Sequence, residues 1–393
     1  MLARGVAVRR TRNDDLGGDL GSTTRTFHFD DLSIQVEAPD TASLHWLGEF
    51  LTPSFEECHA GKADVTVCLT RDDSEYAARL SLREQAETEV PCFQRDNGYH
   101  CLPLREEPDG GRVIYDKRQG AIIRVHGLER RIEIVTRTGD MRHRRVLLQV
   151  TRELAMARCW RPSRMIVHGA AFVREGRAVL IAGPKQAGKT TLLVHCLGVG
   201  GVEVITNDRA LLAIGPKEMT LRGIPTFVSI RPGTRALFPR LSDTLRERAY
   251  DYRLALHEQT DGPRAAIRED QDLFLTPAQF GEALASGTRD VGSLAAIVYP
   301  LKSEEGGILL RSLNIQEASE RLQQTLFGAG TRGRPALALS PEAPCADETD
   351  LTCICDEVAR HVPSFECAVG VSAFGSVRSA EDLVQQVLEP SVG

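Results

Sequence analysis

Apolar positions in the first third of the chain recur mostly every second residue. Phe27, Phe29, Leu32, Ile34 and Val36 alternate with polar neighbours, and the alternation slips once at Asp30-Asp31, which predicts two strands joined by a turn. Thr41-Ala-Ser-Leu-His-Trp-Leu-Gly-Glu-Phe-Leu then changes to helical spacing behind a capping position, and Ala63 to Leu69 returns to strand. Val113–Tyr115, Ala121–Val125 and Arg131–Val135 are short apolar runs separated by turn residues and predict a β-meander. From about Asp140 to Trp160, Val146, Leu147, Val150, Leu154 and Ala157 share one helical face. Residues 1–24 carry Arg9, Arg10, Arg12, Gly17, Gly18 and Gly21 with few apolar anchors, and are expected to form a flexible arm. An α+β domain is therefore expected over 25–160, serving recognition or scaffolding.

The pattern is denser from residue 161 onward, where a second, α/β domain is expected to run to 393. Met165–Val173 predicts a strand, Arg174-Glu-Gly-Arg177 a hairpin turn, Ala178–Ala182 a second strand, and Val202–Asp208 a third. Further on, Thr276 with Pro277 marks a helix start, Ile315–Phe327 is expected to be helical, and 332–346 reads as a Pro/Gly-containing loop. Ser364–Val369 predicts a late strand, and Ser379–Leu388 a last helix.

The strand ending at Ala182 runs straight into Gly183-Pro184-Lys185-Gln186-Ala187-Gly188-Lys189-Thr190, followed by Thr191. This is the pattern G-x-x-x-x-G-K-T between a strand and a helix, the setting in which it forms a phosphate-binding loop. Glycines let successive N–H groups point into one concavity, and the following helix adds partial positive charge there. Lys189 would reach the β- and γ-phosphates, and the Thr190 hydroxyl would hold Mg²⁺. Asp208 ends the neighbouring strand, where open α/β sheets place their sites, and is the first candidate for metal binding or for polarising a nucleophile. Asn-Asp is also good turn chemistry, so a hairpin-closing Asx turn is the competing role.

Charge and composition narrow the functional classes. The formal net charge of -6 leaves no domain-wide basic excess for nucleic acid, and Arg142, Arg144 and Arg145 read as a solvated helix face. No apolar run approaches the roughly 20 residues that cross a bilayer, and the first residues lack a signal-peptide core, so a cytoplasmic protein is expected. The ten cysteines follow no disulfide-scaffold spacing. Cys345, Cys353, Cys355, His361 and Cys367 cluster near the C-terminus but lack a paired C-x-x-C knuckle, which favours ordinary thiols over zinc. His100, Cys101 and His126 read as structural or solvated.

Four features together resemble the catalytic domain of HPr kinase/phosphorylase, whose nucleotide fold is shared with phosphoenolpyruvate carboxykinases. They are His168-Gly169 ahead of the loop, the loop Gly183–Thr190, the strand end Asn207-Asp208, and Leu221-Arg222-Gly223-Ile224. The match spans about residues 165–230. The resemblance implies a P-loop kinase domain using ATP and Mg²⁺, with Asp208 taking the proton of an acceptor hydroxyl, His168 and Lys189 near the transferring phosphoryl group, and Arg222 shaping the site. It implies Thr190 and Asp208 as metal ligands. The chain departs from the family at Asn207, where a second acid is expected, at Thr220, where a metal-binding acid is expected, and at Thr191. Arg289 is the nearest counterpart of a later arginine, and the departures imply loss of the reverse, phosphorolytic activity. Relatives with this layout look like those of bacterial peptide-modifying or natural-product pathways, which implies a serine-type hydroxyl on a peptide or small molecule as acceptor, and raises the expectation of a homo-oligomer. The alternative is a nucleotide-binding module or slow ATPase that recruits a biosynthetic partner. A GTPase is remote, since no N-K-x-D base-reading motif is present.

Overall fold

The computed structural model describes residues 23–58, 62–86, 88–93, 99–126, 129–140, 142–159, 163–248, 272–304, 306–327 and 348–389. The expected arm over 1–24 falls outside this range except for its last two residues, and the expected loop over 332–346, with Cys345, falls wholly outside it.

Two sheets carry the chain. The first contains β1 (Thr24–Phe29), β2 (Leu32–Glu37), β3 (Glu56–Cys58), β4 (Val65–Arg71), β5 (Thr88–Phe93), β6 (Tyr99–Glu106), β7 (Arg112–Asp116), β8 (Ala121–Val125) and β9 (Arg131–Thr136). Its order is β3-β1-β2-β4-β9-β8-β7-β6-β5. The slip at Asp30-Asp31 is the β1–β2 hairpin, with Asp30 in the left-handed region at φ 56°, a conformation in which Asp is tolerated. Helices α1 (Thr41–Leu51) and α3 (His143–Cys159) cover one face, burying Leu44, Leu47, Phe50, Val146, Leu147 and Val150 against Phe27, Ile34, Val67 and Ile134. The other face of the meander is also apolar, through Val113, Tyr115, Ile122 and Val135, and is covered by Tyr76 of α2 (Asp73–Leu80). That helix is too short and polar to show in the hydrophobic pattern. Asp72 starts it, accepting the N–H groups of Ser74 and Glu75.

The second sheet contains β10 (Arg164–Arg174), β11 (Arg177–Ala182), β12 (Val202–Thr206), β13 (Arg209–Ile214), β14 (Met219–Ile224), β17 (Val291–Ser303), β18 (Ile308–Ser312), β19 (Leu326–Phe327) and β20 (Ser364–Gly370), while β15 (Val228–Ile230) and β16 (Leu273–Leu275) form a separate ribbon. Its pairings close on themselves, running β11 to β10, β10 to β13, β13 to β14, β14 to β17 and β17 back to β11. Both sides of β10 and β11 are buried, so their apolar runs are nearly continuous. Ala170, Phe172, Val179 and Ile181 pack under α4 (Lys189–Cys196). Ala171, Val173, Leu180 and Ala182 pack on the opposite side against Leu322 of α8 (Ile315–Gln323) and Val358 of α9 (Glu348–His361). Between these lie α5 (Pro232–Leu237), α6 (Pro239–Arg248) and α7 (Pro277–Ala283), and α10 (Val377–Leu388) ends the described chain. Thr276 caps α7 as its sequence predicts, in a reciprocal capping box with Gln279.

One expectation is corrected. Ile315–Phe327 is not a single helix: α8 stops at Gln323, and Leu326 and Phe327 pair with Val167 and Ile166 on the stretch of β10 that β11 does not reach. The C-terminal thiols are also separated. Cys355 is buried on the α9 side of the sheet and Cys367 on the α4 side, with burial pushing each thiol up to about 12, while Cys353 is exposed. Among the described residues no helix is long and apolar enough to cross a membrane.

His195, in the last turn of α4, lies in the core with its ring 5.4 Å from that of Phe374, and burial pulls its pKa down to about 4. Burial also lowers His143, which is bonded to Ser43 at 3.0 Å and to the Asp140 carbonyl at 2.6 Å. Groups held neutral in this way stabilise the fold fully above their unfolded pKa near 6.5, and the contribution is lost as pH falls toward the folded value. Denaturant unfolding at pH 5 is expected to show about 2 kcal/mol less stability from His195 than at pH 7.5. His195→Phe should flatten that dependence, and an unchanged pH slope in this variant would contradict the assignment.

Candidate functional site

Strand β10 brings together residues that lie far apart in sequence. On one edge Gly169 pairs with Ala182, which sets His168 opposite the first residue of the Gly183–Thr190 loop. On the other edge His168 pairs with Arg209, and the Gly169 N–H donates to the Asp208 carbonyl at 3.0 Å. The residue after His168 must be small, because a Cβ on Gly169 would stand 2.7 Å from Leu180 Cδ1 and 3.0 Å from the Ile181 carbonyl.

The loop leaves β11 at Gly183 and turns through Pro184, Lys185 and Gln186, which are exposed, closing with Ala187 N–H to the Pro184 carbonyl at 3.2 Å. Gly188 is the N-cap of α4 at φ 100° and provides no side-chain cap to the first helical N–H groups. Lys189 is 8% exposed, and its Nζ donates to the carbonyls of Gly183 at 2.8 Å and Pro184 at 2.9 Å. Burial lowers its pKa to about 8, with Asp208 opposing that shift and Arg231 adding to it. Thr190 is half-buried in the first turn, and Thr191 Oγ1 lies 2.9 Å from Thr234 Oγ1, tying that turn to α5.

Strand β12 stops at Thr206, two residues short of the expected end, so Asp208 lies in the turn before β13; its side chain is 38% exposed, with Oδ1 3.2 Å from His168 Nε2 and Oδ2 3.5 Å from Arg209 Nε. Burial would raise its carboxyl, but the His168 hydrogen bond and the charges of Arg209, His168 and Lys189 outweigh this and hold it well below the usual carboxylate range. Asp208 is therefore an anion throughout the neutral range, set among cations. Lys189, Asp208 and His168 thus form one electrostatic group.

Other expected residues lie elsewhere. Asn207 is buried, accepting from Thr226 Oγ1 at 3.3 Å. Arg222 lies 3.1 Å from Asp290 and over the Phe29 ring at 5.8 Å, where it joins the two sheets. Thr220 pairs with Ala213, four residues along from the Arg209–Ile224 pair, or about 13 Å at strand rise. Arg289 pairs with Glu203 at 2.8 Å. His126 lies 3.2 Å from Glu133 in the first sheet; Cys101 is exposed there, and the His100 side chain lies outside the description. Among the described residues no group of three or more His, Cys, Asp or Glu is arranged to hold a metal ion. Sequence reasoning passed over Arg209 and Arg231. The first could have been suspected from its adjacency to Asp208, whereas the second carries no local signal.

No family model matches the chain, and no curated protein matches it. Among solved structures it is similar to the HPr(Ser) kinase/phosphatase from Coxiella burnetii, at 13% identity and a TM-score of 0.21, over 38% of this chain and 76% of that one. An overlap this loose establishes neither fold nor chemistry.

The left-handed backbone at Gly188 gives a direct check on the loop. No atom lies within 4 Å of a Cβ built there, so Gly188→Ala should fold and lose about 1–2 kcal/mol through backbone strain alone. An unchanged unfolding midpoint would show that the loop does not hold this conformation.

Proposed function

We propose that the chain is an ATP-dependent phosphotransferase acting on a hydroxyl group of a peptide or small metabolite. The carrying observation is the convergence on β10 of the glycine loop, Lys189 and the Asp208–His168 pair. The loop suits a polyphosphate: a helix start without a side-chain cap and a buried ammonium already hydrogen-bonded to two oxygen acceptors favour bound oxyanions. Mg²⁺ would be held by the Thr190 hydroxyl and Asp208, and would neutralise charge on the phosphates.

In this reading the acceptor oxygen bonds to the γ-phosphorus as the bond to the β,γ-bridging oxygen breaks and ADP departs. Asp208 accepts the hydrogen bond of the attacking hydroxyl, whose proton then passes to solvent. A carboxylate of such low pKa is a weak base. That suits a loose transition state, in which the nucleophile needs positioning more than full deprotonation. His168 holds Asp208 in place.

A nucleotide-binding module that only hydrolyses ATP slowly is the second reading. It is favoured by Asn207, which is buried against Thr226 and brings no second carboxylate to the side of Asp208.

With γ-labelled ATP and a panel of hydroxyl-bearing peptides and metabolites, label is expected on an acceptor, with transfer reduced roughly 100-fold or more in Lys189→Ala and Asp208→Asn. Label released only to water would sink the transferase reading and leave the module. The Lys189 titration gives an independent check. A polyanion prefers the charged amine, so ATP affinity should fall as pH rises through about 8 and be about tenfold weaker at pH 9 than at pH 7. Lys189→Ala should abolish this dependence; if it persists in that variant, Lys189 is not its source.

A further inference from the structure

Helix α3 belongs to the first sheet's core, yet one of its faces meets the site. Met156 on that face accepts from Arg209 Nη1 at 3.3 Å, and Arg209 in turn lies 3.5 Å from Asp208. Arg152 is one turn before Met156 and Arg145 two turns before Arg152, so the three share the face. Electrostatically, Arg152 is drawn to Asp208 and Glu153 and repelled by Arg209 and Arg145. Arg152 thus stands between cations and anions of both elements, with Asp208 among the charges that act on it.

The hydrogen-bonding capacity of Arg152 is poorly used. Its ion pair with Glu153 spans 3.8 Å from Nη2 to Oε1, too long for a hydrogen bond, and its Nε is buried with no hydrogen-bond partner among the described residues. The side chain is nevertheless 15% exposed, against 3% for Glu153, so it is accessible from solvent. Buried donors in folded proteins normally find partners, and a buried charge without a close counter-ion is costly. A planar guanidinium in that state is suited to a carboxylate or phosphate, which can accept two parallel hydrogen bonds.

We propose that Arg152 is an anion-binding residue of the acceptor subsite, so that the acceptor carries a carboxylate or phosphate near the hydroxyl that is phosphorylated. This rests on the phosphotransferase reading of the same site. The first sheet then contributes to substrate choice through α3, and neutral alcohols are poor acceptors.

The test uses the full chain saturated with the non-hydrolysable analogue AMP-PNP and Mg²⁺, so that the glycine loop is filled. Inorganic phosphate and malonate are titrated separately by calorimetry to tell a phosphate site from a carboxylate site. At least one is expected to bind the wild type, tenfold or more weaker to Arg152→Gln and several-fold weaker to Arg152→Lys, with AMP-PNP affinity equal in all three. Equal oxyanion binding by wild type and Arg152→Gln, or binding of neither oxyanion to the wild type, overturns the proposal. Should Arg152→Gln lose its native circular dichroism, Arg152→Lys, which keeps the charge but not the fork, carries the comparison, and equality with wild type is again fatal. If AMP-PNP itself does not bind, the nucleotide reading falls separately. The oxyanion titration repeated in Lys189→Ala then still reports on Arg152.

Discussion

The antiparallel register of β10 is the constraint on which the site depends. Because Gly169 sits opposite Ala182 on one edge and donates to the Asp208 carbonyl on the other, a shift of one residue would turn His168 to the opposite face and separate it from Asp208. The absence of a side chain at Gly169 permits the approach of Leu180 and the Ile181 carbonyl that this register requires. β11 and β19 along one edge and β12 and β13 along the other then leave β10 no free edge along which to slip.

Charge follows from that geometry. Asp208, in the turn before β13, is bonded to His168 and lies in the field of Arg209 at the start of that strand and Lys189 from the loop, and these keep it ionised. Lys189 experiences the opposite balance: burial draws its pKa toward neutrality while Asp208 resists. The two groups lie in each other's field: removing Asp208 would let burial draw the Lys189 pKa lower still, while Asp208 without Lys189 stays ionised through His168 and Arg209. A site of this kind is built to hold charge in fixed positions, which is what phosphoryl transfer requires of a protein.

Much of this was legible in the residues. The loop pattern, the turn at Asp30-Asp31, the helix cap at Thr276, and the strand entering the loop and helix leaving it each rest on local chemistry, which a sequence displays directly. What was not legible depends on long-range pairing. Leu326 and Phe327 continue a helical pattern yet become a strand, because they fill the edge along the N-terminal half of β10 that β11 does not reach. Arg222 is expected in the site from the resemblance to HPr kinase/phosphorylase, and its contacts are with Asp290 and Phe29, partners that no local pattern identifies. Arg152 reads as one more polar residue on a helix until the packing of α3 on Arg209 gives that face a direction.

The central claim is that this convergence makes a polyphosphate site, and a crystal structure of the chain with Mg²⁺ and AMP-PNP tests it most directly. Lys189 Nζ should have left the carbonyls of Gly183 and Pro184 for the β- and γ-phosphate oxygens, with the γ-phosphate facing Asp208. Lys189 still bound to those two carbonyls, with the nucleotide elsewhere or absent at saturating concentration, would contradict the account.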